Sequence, residues 1–280
     1  MCSSDLHEKK IAEYQTAMAT IRKGFFQNAV QEKDGERRIL HGWGDRQSYY
    51  VGSFHDLDGQ SRVSVTSVAF FALSGLYDPS YEKDVVKACE RLDGKYGLRT
   101  FDVPFGEDAA SIGRIGKLPA GTGENAATYV HGSLFGVHAL FSVGLDELAT
   151  KQILKLLPIS YDWVDKTPYV MQNSYCYNPR IHVDGAAAND WFTGSGALVI
   201  KIFLTDLFGI QPQDDELILA PAKHSFLEKY KVEFVVHGKV VRFSAEKTGK
   251  SSFVVNGTAR KENRVSYSDL LDTNEISLTW

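Results

Sequence analysis

The spacing of apolar residues changes near residue 217 of this 280-residue chain, and this change constrains the architecture most strongly. Before it, apolar residues recur mainly with helical spacing, beginning with a long amphipathic stretch over residues 6–33. Apolar stretches then alternate with half-polar ones, as expected where covered inner helices pack against water-facing outer helices. After Leu217 the runs are short and β-branched, and turn residues separate them. The sequence predicts a mainly α fold over residues 1–211 and a small antiparallel β module over residues 212–280.

The formal net charge of −4 is small for this length, and the basic residues form no stripe. A nucleic-acid partner is therefore not expected. The three cysteines are far apart and match no zinc-binding spacing, which favours a reducing cytoplasm and no metal site. The chain has no signal-peptide pattern and no apolar run of about 18 residues, so we expect a cytoplasmic protein without a membrane partner.

The segment His41-Gly42-Trp43-Gly44-Asp45-Arg46 places an indole ring and a carboxyl group on a glycine-bordered loop. The apolar face of a sugar ring stacks on aromatic side chains, while a carboxyl group nearby serves its oxygens. An acid whose pKa is raised by apolar walls and a bound anion can protonate a leaving oxygen. Asp45 is therefore the candidate catalytic acid and Trp43 a candidate substrate-binding residue. The alternative is an ordinary loop carboxylate beside Arg46.

Two glycine-rich stretches lead into apolar segments, as helix starts that receive an anion or a sugar do. In residues 120–132 the predicted helix begins at Glu124, which puts Glu124 and His131 on one helical face. The second stretch, Thr193-Gly194-Ser195-Gly196, opens a helix predicted over 193–208 and offers N–H groups and hydroxyls to an oxyanion. Alternatively, Glu124 stabilises only the helix dipole, His131 is a core residue, and the second stretch is a simple cap.

The run Asn173-Ser174-Tyr175-Cys176-Tyr177-Asn178 combines amides and phenols between these two stretches. Such a run suits a hydroxyl-rich ligand, and Tyr175 is the substrate-binding candidate within it. The alternative is that the tyrosines only wall a cleft. Cys176 lacks a clear basic partner in sequence, so a nucleophilic thiol is not expected.

Three motifs in order resemble glycoside hydrolase family 94, which includes cellobiose phosphorylase. The motifs are Gly42-Trp43-Gly44-Asp45, then Gly123-Glu124-Asn125-Ala126-Ala127-Thr128-Tyr129-Val130-His131, then Trp191-Phe192-Thr193-Gly194-Ser195-Gly196, and the last is followed by Leu207-Phe208-Gly209-Ile210 and the β tail. The likeness covers roughly residues 38–245. It implies a partial (α/α)6 barrel, consisting of its later helices, with the β module after it. The chain would then be the C-terminal part of a longer enzyme.

The resemblance also implies roles for individual residues. Trp43 corresponds to the residue under the cleaved sugar, and Asp45 to the general acid. His131, Thr193 and Gly194 correspond to the phosphate-binding group.

Other positions depart from the family pattern. Glu124 matches the glutamate of the family's Glu-Asn-Gly-Gly stretch, but Ala126 and Ala127 replace the two glycines. Gly123 stands where cellobiose phosphorylase has an acceptor-site lysine, and Gly42 stands where the family usually has aspartate. The general acid Asp45 itself is kept, whereas the sugar that the acceptor site prefers is left open.

The implied activity is inverting phosphorolysis of a β-linked gluco-oligosaccharide or disaccharide, which gives a sugar 1-phosphate. The co-substrate is inorganic phosphate, no cofactor is expected, and the full-length protein is expected to form a homodimer. One alternative is an inverting hydrolase on the same barrel, in which Glu124 acts as the base about 6.5 to 9.5 Å from Asp45. Another is a non-catalytic carbohydrate-binding fragment.

Overall fold

The computed structural model describes residues 3–43, 49–165, 170–188 and 194–280. Within these ranges the chain forms six α-helices and a series of short β-strands. The helices are α1 (Ser3–Asn28), α2 (Val65–Leu73), α3 (Glu82–Leu92), α4 (Val130–Ser142), α5 (Asp146–Leu156) and α6 (Ser195–Ile202), and α6 continues into one π-helical turn, Phe203–Leu207. None of the helices in these ranges is long and apolar enough to cross a membrane.

The first helix ends earlier than the sequence predicts, because a β-hairpin follows it. The hairpin consists of β1 (Val30–Lys33) and β2 (Glu36–Ile39), and its turn is Asp34-Gly35. Both turn residues have positive φ angles, 51° and 73°. An Asp-Gly pair adopts this conformation readily in tight hairpins. Residues 30–33, the end of the stretch with helical spacing, are therefore paired strand.

Helix α4 is the centre of the helical core. It packs on α2, α5 and α6, and its buried face supplies Leu134, Val137 and Leu140. Burying each such side chain contributes about 2 kcal/mol. α3 and α5 bury one face each and expose the other, as predicted for outer helices. The apolar helix α4 thus lies inside, and its two ends open onto different surfaces.

Seven further strands interrupt the helical part: β3 (His41–Trp43), β4 (Tyr49–Val51), β5 (Asp93–Gly94), β6 (Gly97–Leu98), β7 (Thr128–Tyr129), β8 (Ser174–Asn178) and β9 (Val183–Ala187). β3 pairs with β4, β5 pairs with β6, and β7, β8 and β9 form one small sheet. Helix accounts for 38% of the residues and strand for 28%, so a mainly α composition is not confirmed. Strands of two to five residues are too short to show a period in the sequence.

The C-terminal strands form a module with its own apolar cluster. They are β10 (Ile210–Pro212), β11 (Glu216–Leu219), β12 (Lys229–Val236), β13 (Lys239–Glu246), β14 (Ser252–Val255), β15 (Thr258–Arg260), β16 (Arg264–Ser266) and β17 (Thr273–Thr279). β10, β11 and β16 form one sheet, and the other sheet has the order β12-β13-β17-β14-β15.

The prediction of a purely antiparallel module is wrong for one strand pair. β17 runs parallel to β13, with Val240 opposite Thr273, and antiparallel to β14. The last strand enters the middle of the sheet after a long excursion through β14, β15 and β16, and such a connection permits parallel pairing. The division at residues 211/212 stays a prediction, although Ile210 already belongs to the apolar cluster of the module.

Candidate active site

The candidate acid belongs to the connection of the β3–β4 hairpin. Trp43 at the end of β3 pairs with Tyr49 at the start of β4. Asp45 lies between them in sequence and falls outside the described residues, as does the side chain of Trp43. The hairpin therefore fixes only the backbone on either side of Asp45, and the roles of Asp45 and Trp43 stay predictions.

A buried arginine anchors the loop after this hairpin. Arg62 is fully buried, and its Nη1 donates hydrogen bonds to Asp56 (3.2 Å) and Asp58 (2.6 Å). Its guanidinium also lies 3.9 Å from the centre of the Phe105 ring. The hydrogen bond from Arg62 lowers the pKa of Asp58. Because a buried charge is tolerated only with such partners, this network holds the loop after β4 against the segment that contains Phe105.

The imidazole of His41, at the start of β3, is partly buried. Burial lowers the pKa of His41, because desolvation disfavours the charged imidazolium. At neutral pH this side chain is therefore uncharged, and it adds no positive charge to the hairpin that carries the candidate acid.

Glu124 lies in a tight turn, not at the start of a helix. Gly121, Gly123 and Ala126 have positive φ angles of 74°, 51° and 63°. A right-handed helix excludes such angles, so the prediction that the helix begins at Glu124 is wrong. The Glu124 carboxylate forms an ion pair with Arg114, and one third of its side chain (33%) is exposed.

Asn125 holds the turn in place from within the core. It is fully buried, its Oδ1 accepts a hydrogen bond from the Phe105 N–H (2.8 Å), and its Nδ2 donates to the Leu118 carbonyl oxygen (2.8 Å). The Thr100 hydroxyl donates to the Glu124 carbonyl oxygen (2.8 Å). These bonds direct the Glu124 side chain outward, towards Arg114.

Helix α4 begins at Val130, directly after β7 pairs with β8. His131 is therefore in the first turn of α4, and the predicted helical face shared by Glu124 and His131 does not exist. The His131 ring is half-buried, with ring centres at 5.2 Å from Phe135 and 6.5 Å from Tyr129. The imidazole thus lies at the N-terminal end of an apolar helix, where the helix dipole favours negative charge.

Gly194 lies against His131, although the two are far apart in sequence. A β-carbon placed on Gly194 would be 3.4 Å from both Cε1 and Nε2 of His131. Gly194 caps α6, whose first residue is Ser195. The N-terminal ends of α4 and α6 therefore lie close together. The first N–H of α4, that of Val130, donates to the Asn173 carbonyl oxygen (2.9 Å). Thr193, the third residue of the predicted phosphate group, is outside the described residues.

Tyr175 lies in the core, which corrects its assignment as a substrate-binding residue. It is 0% exposed, its hydroxyl donates to the Leu156 carbonyl oxygen (2.9 Å), and its ring stacks on Tyr96 at 4.9 Å. Burial raises the pKa of Tyr175. A side chain enclosed in this way offers no surface to a sugar, and it instead packs in the core against Tyr96.

Three residues of this region were not singled out in the sequence. Phe135 follows His131 by four residues, so helical spacing alone would have placed the two together. Asn125 lies inside the quoted motif next to Glu124, but its burial has no local signal. Arg114 is ten residues before Glu124, in a segment without helical periodicity, and only the turn brings the two together.

The arrangement is suited to binding an anion. The His131 imidazole, in the first turn of α4, lies close to Gly194 at the N-terminal end of α6, and helix N-termini favour negative charge. Within the described residues, no group of three or more His, Cys, Asp or Glu side chains is placed to hold a metal ion.

Comparison with known proteins gives the family. The model of the Glycosyl hydrolase 94 superfamily, catalytic domain, matches residues 1–209. Solabiose phosphorylase of Paenibacillus borealis is 28% identical over 193 residues, which are 67% of this chain and 25% of that protein. Cellobionic acid phosphorylase of Neurospora crassa is 23% identical over 62% of this chain and 23% of its own length. Cyclic beta-(1,2)-glucan synthase NdvB of Rhizobium meliloti is 27% identical over 75% of this chain and 8% of its own length.

This chain therefore spans a quarter or less of the length of these curated relatives. Because the family model matches well over half of the chain, the chain belongs to the Glycosyl hydrolase 94 superfamily, and the match lies in its catalytic domain.

Proposed function

We propose that this chain supplies the acid and phosphate-binding side of an inverting glycoside phosphorylase that acts on a β-linked gluco-oligosaccharide or disaccharide. The observation that supports this proposal most is the close approach of Gly194, at the N-terminal end of α6, to His131 in the first turn of α4. The phosphorylase names of two relatives support it as well.

In the proposed reaction, phosphate is held by the His131 imidazole and by N–H groups at the two helix ends. A favourable helix dipole contributes about 0.3 to 1 kcal/mol at each end, and hydrogen bonds to a charged group add about 1.5 to 3 kcal/mol each. Thr193 is proposed to contribute its hydroxyl to the same anion.

A phosphate oxygen then attacks the anomeric carbon as the bond from that carbon to the leaving sugar oxygen breaks. The electron pair of the broken bond passes to the leaving oxygen, and Asp45 gives that oxygen its proton. The products are a sugar 1-phosphate of inverted configuration and a sugar shortened by one unit. Trp43 is proposed to lie under the sugar that is transferred.

Glu124 is proposed to contact the sugar rather than to act as a base. A hydrolase would need a carboxylate free to activate water. The Glu124 carboxylate is paired with the exposed Arg114 guanidinium. The phosphorylase names of two relatives favour phosphorolysis over the hydrolase alternative.

The wider context is part of the same proposal. The helices up to α6 are the later helices of an (α/α)6 barrel, and the remainder of the barrel belongs to a longer enzyme. We also propose that the full-length protein is cytoplasmic and forms a homodimer.

The test is an assay of sugar release by the full-length protein, with and without inorganic phosphate, on β-linked gluco-disaccharides. We expect sugar 1-phosphate only when phosphate is present, and loss of nearly all activity in Asp45→Asn. Asp215→Asn, in an exposed position of the β module, is the matched control and should keep full activity. Release of free sugar at the same rate without phosphate would reject the proposal.

A further inference from the structure

A polar cleft opens at the opposite end of α4 from His131. It has a volume of about 720 Å³ and lies between the C-terminal end of α4, the end of α6, strand β10 and residues 220–224, which follow β11. We call it the junction cleft, and the residues that define it are His138, Asp146, Lys201, Asp206, Lys223 and His224. Its size is in the range of small-molecule sites.

An imidazole–carboxylate pair forms one wall of the junction cleft. His138 Nδ1 and Asp206 Oδ2 are 2.6 Å apart, and the side chains are 19% and 9% exposed. The π-helical turn over Phe203–Leu207 contains Asp206, and π-turns inside helices occur frequently at functional sites. Because an ionised carboxylate only accepts hydrogen bonds, the His138 Nδ1–H donates to it. The Nε2 atom has no hydrogen-bond partner among the described residues.

The two acids of the junction cleft are engaged by the protein itself. Asp206 also interacts with the Thr205 hydroxyl (3.0 Å), and Asp146 accepts hydrogen bonds from the backbone N–H groups of Lys223 (2.8 Å) and His224 (3.4 Å). In contrast, the exposed side chains of Lys201, Lys223 and His224 form no ion pair or hydrogen bond with any part of the chain that the structure describes. The polar side chains of the junction cleft that remain available to a ligand are therefore two lysines, which are cationic, and histidines.

The junction cleft is separate from the proposed phosphate-binding group. His131 and His138 are two helical turns apart on α4, which corresponds to about 10 Å along the helix axis. Lys201 and Asp206 lie near the C-terminal end of α6, whereas Gly194 caps its N-terminal end. An anion in the junction cleft would therefore not touch the group at His131 and Gly194.

We propose that the junction cleft is a second anion site whose ligand is a phosphate group, either free or carried by a sugar. The ammonium groups of Lys201 and Lys223 bind the phosphate oxygens as charges, and His138 and His224 offer further N–H donors. His138 is held in a fixed orientation by Asp206, so its Nε2 faces the ligand without a further ordering cost.

The test uses the 280-residue chain carrying His131→Ala, which removes the other proposed phosphate contact. Binding of inorganic phosphate and of glucose 6-phosphate is measured by calorimetry. We expect binding to persist in this variant and to weaken at least tenfold when Lys201→Gln and Lys223→Gln are added. The pair Lys231→Gln and Lys250→Gln, which removes two exposed charges from the β module, is the matched control and should leave the affinity unchanged.

The two probes identify the source of the phosphate. Tighter binding of glucose 6-phosphate indicates a sugar phosphate, and equal binding of both probes indicates free phosphate. In the unsubstituted chain the imidazole resonances of His138 should move as either probe saturates the site, which requires no variant to fold. The proposal is overturned if neither probe binds the His131→Ala chain, if the control pair weakens binding as much as the cleft pair, or if the His138 resonances do not move. None of these outcomes depends on phosphorolysis.

Discussion

The two glycine-rich approaches to the candidate site look alike in sequence and differ in structure. In the first, positive φ angles at Gly121, Gly123 and Ala126 form a turn, and the helix starts only at Val130. In the second, the helix starts at Ser195, directly after Gly194, which has a φ of −73°. Both nevertheless deliver a helix N-terminus to the same place, because His131 and Gly194 are in contact.

This difference shows what glycines in such a stretch can do. Gly121 is needed for its backbone conformation, since the chain there passes close to the Tyr177 carbonyl. Gly194 has an ordinary backbone conformation, and its lack of a side chain leaves room beside His131. Gly121 therefore stabilises the fold, and Gly194 is proposed to leave space for phosphate to bind.

The largest effect is expected for Gly121→Ala. A methyl group here would overlap the Tyr177 carbonyl oxygen, and φ is 74°. We expect a loss of about 3 kcal/mol or more in the free energy of unfolding, from strain and overpacking together. Gly75→Ala is the control, since Gly75 has a φ of 72° and no atom within 4 Å of its added methyl, and it should lose only about 1 kcal/mol. Equal losses in urea unfolding would contradict the distinction.

The next effect concerns phosphate. His131→Ala in the full-length protein should raise the KM for phosphate at least tenfold, or about 1.4 kcal/mol, because a donor to the anion is lost. The KM for the sugar should change much less. His7→Ala, on the exposed face of α1, is the control in steady-state kinetics. If the KM for the sugar rises and that for phosphate does not, His131 belongs to a different part of the site.

A smaller effect is expected for Tyr175→Phe. Removing the hydroxyl leaves the Leu156 carbonyl oxygen without this donor, at a cost of about 1 kcal/mol in thermal or urea unfolding. The KM for the sugar should stay within twofold. Tyr177→Phe, two residues along β8 and 48% exposed, is the control and should change neither quantity. A rise in the sugar KM for Tyr175→Phe would restore its assignment as a substrate-binding residue.

The smallest effect on stability is expected for Glu124→Gln. Its partner Arg114 is 73% exposed, so the ion pair contributes about 0.5 kcal/mol or less. In an Arg114→Gln background, Glu124→Gln should cause no further loss in a double-mutant cycle. A residual loss in that background would show that Glu124 stabilises the fold through a contact other than the Arg114 ion pair.

Long periodic segments were predictable from the sequence, and short or long-range features were not. Polar and apolar residues alternate along β12, and this pattern predicts a strand in which exposed and half-buried residues alternate. The amphipathic helices α3 and α5 follow from their own periodicity. The start of α4 was missed because the positive φ of Ala126 has no signature in an alanine. The parallel pairing of β17 with β13 depends on contacts that no local pattern encodes.

The same holds for the site. The motifs marked two glycine-rich approaches, and the structure places Gly194 close to His131, while a role of these residues in binding phosphate stays a prediction. Tyr175 was misassigned because its hydroxyl looks available in sequence, whereas the core of Tyr96 and Leu156 encloses it. Burial is a property of the whole fold, and a six-residue run of polar side chains does not reveal it.

The most direct measurement is a titration of this chain with inorganic phosphate, followed by the imidazole resonances of His131 in nuclear magnetic resonance. The resonances are assigned by their absence in His131→Ala. We predict a saturable shift of the His131 resonances, and a much weaker response in Gly194→Val, which adds bulk beside Cε1 and Nε2. A His131 signal that moves no more than that of the exposed His7, or that responds equally in Gly194→Val, would contradict a phosphate site at the paired ends of α4 and α6.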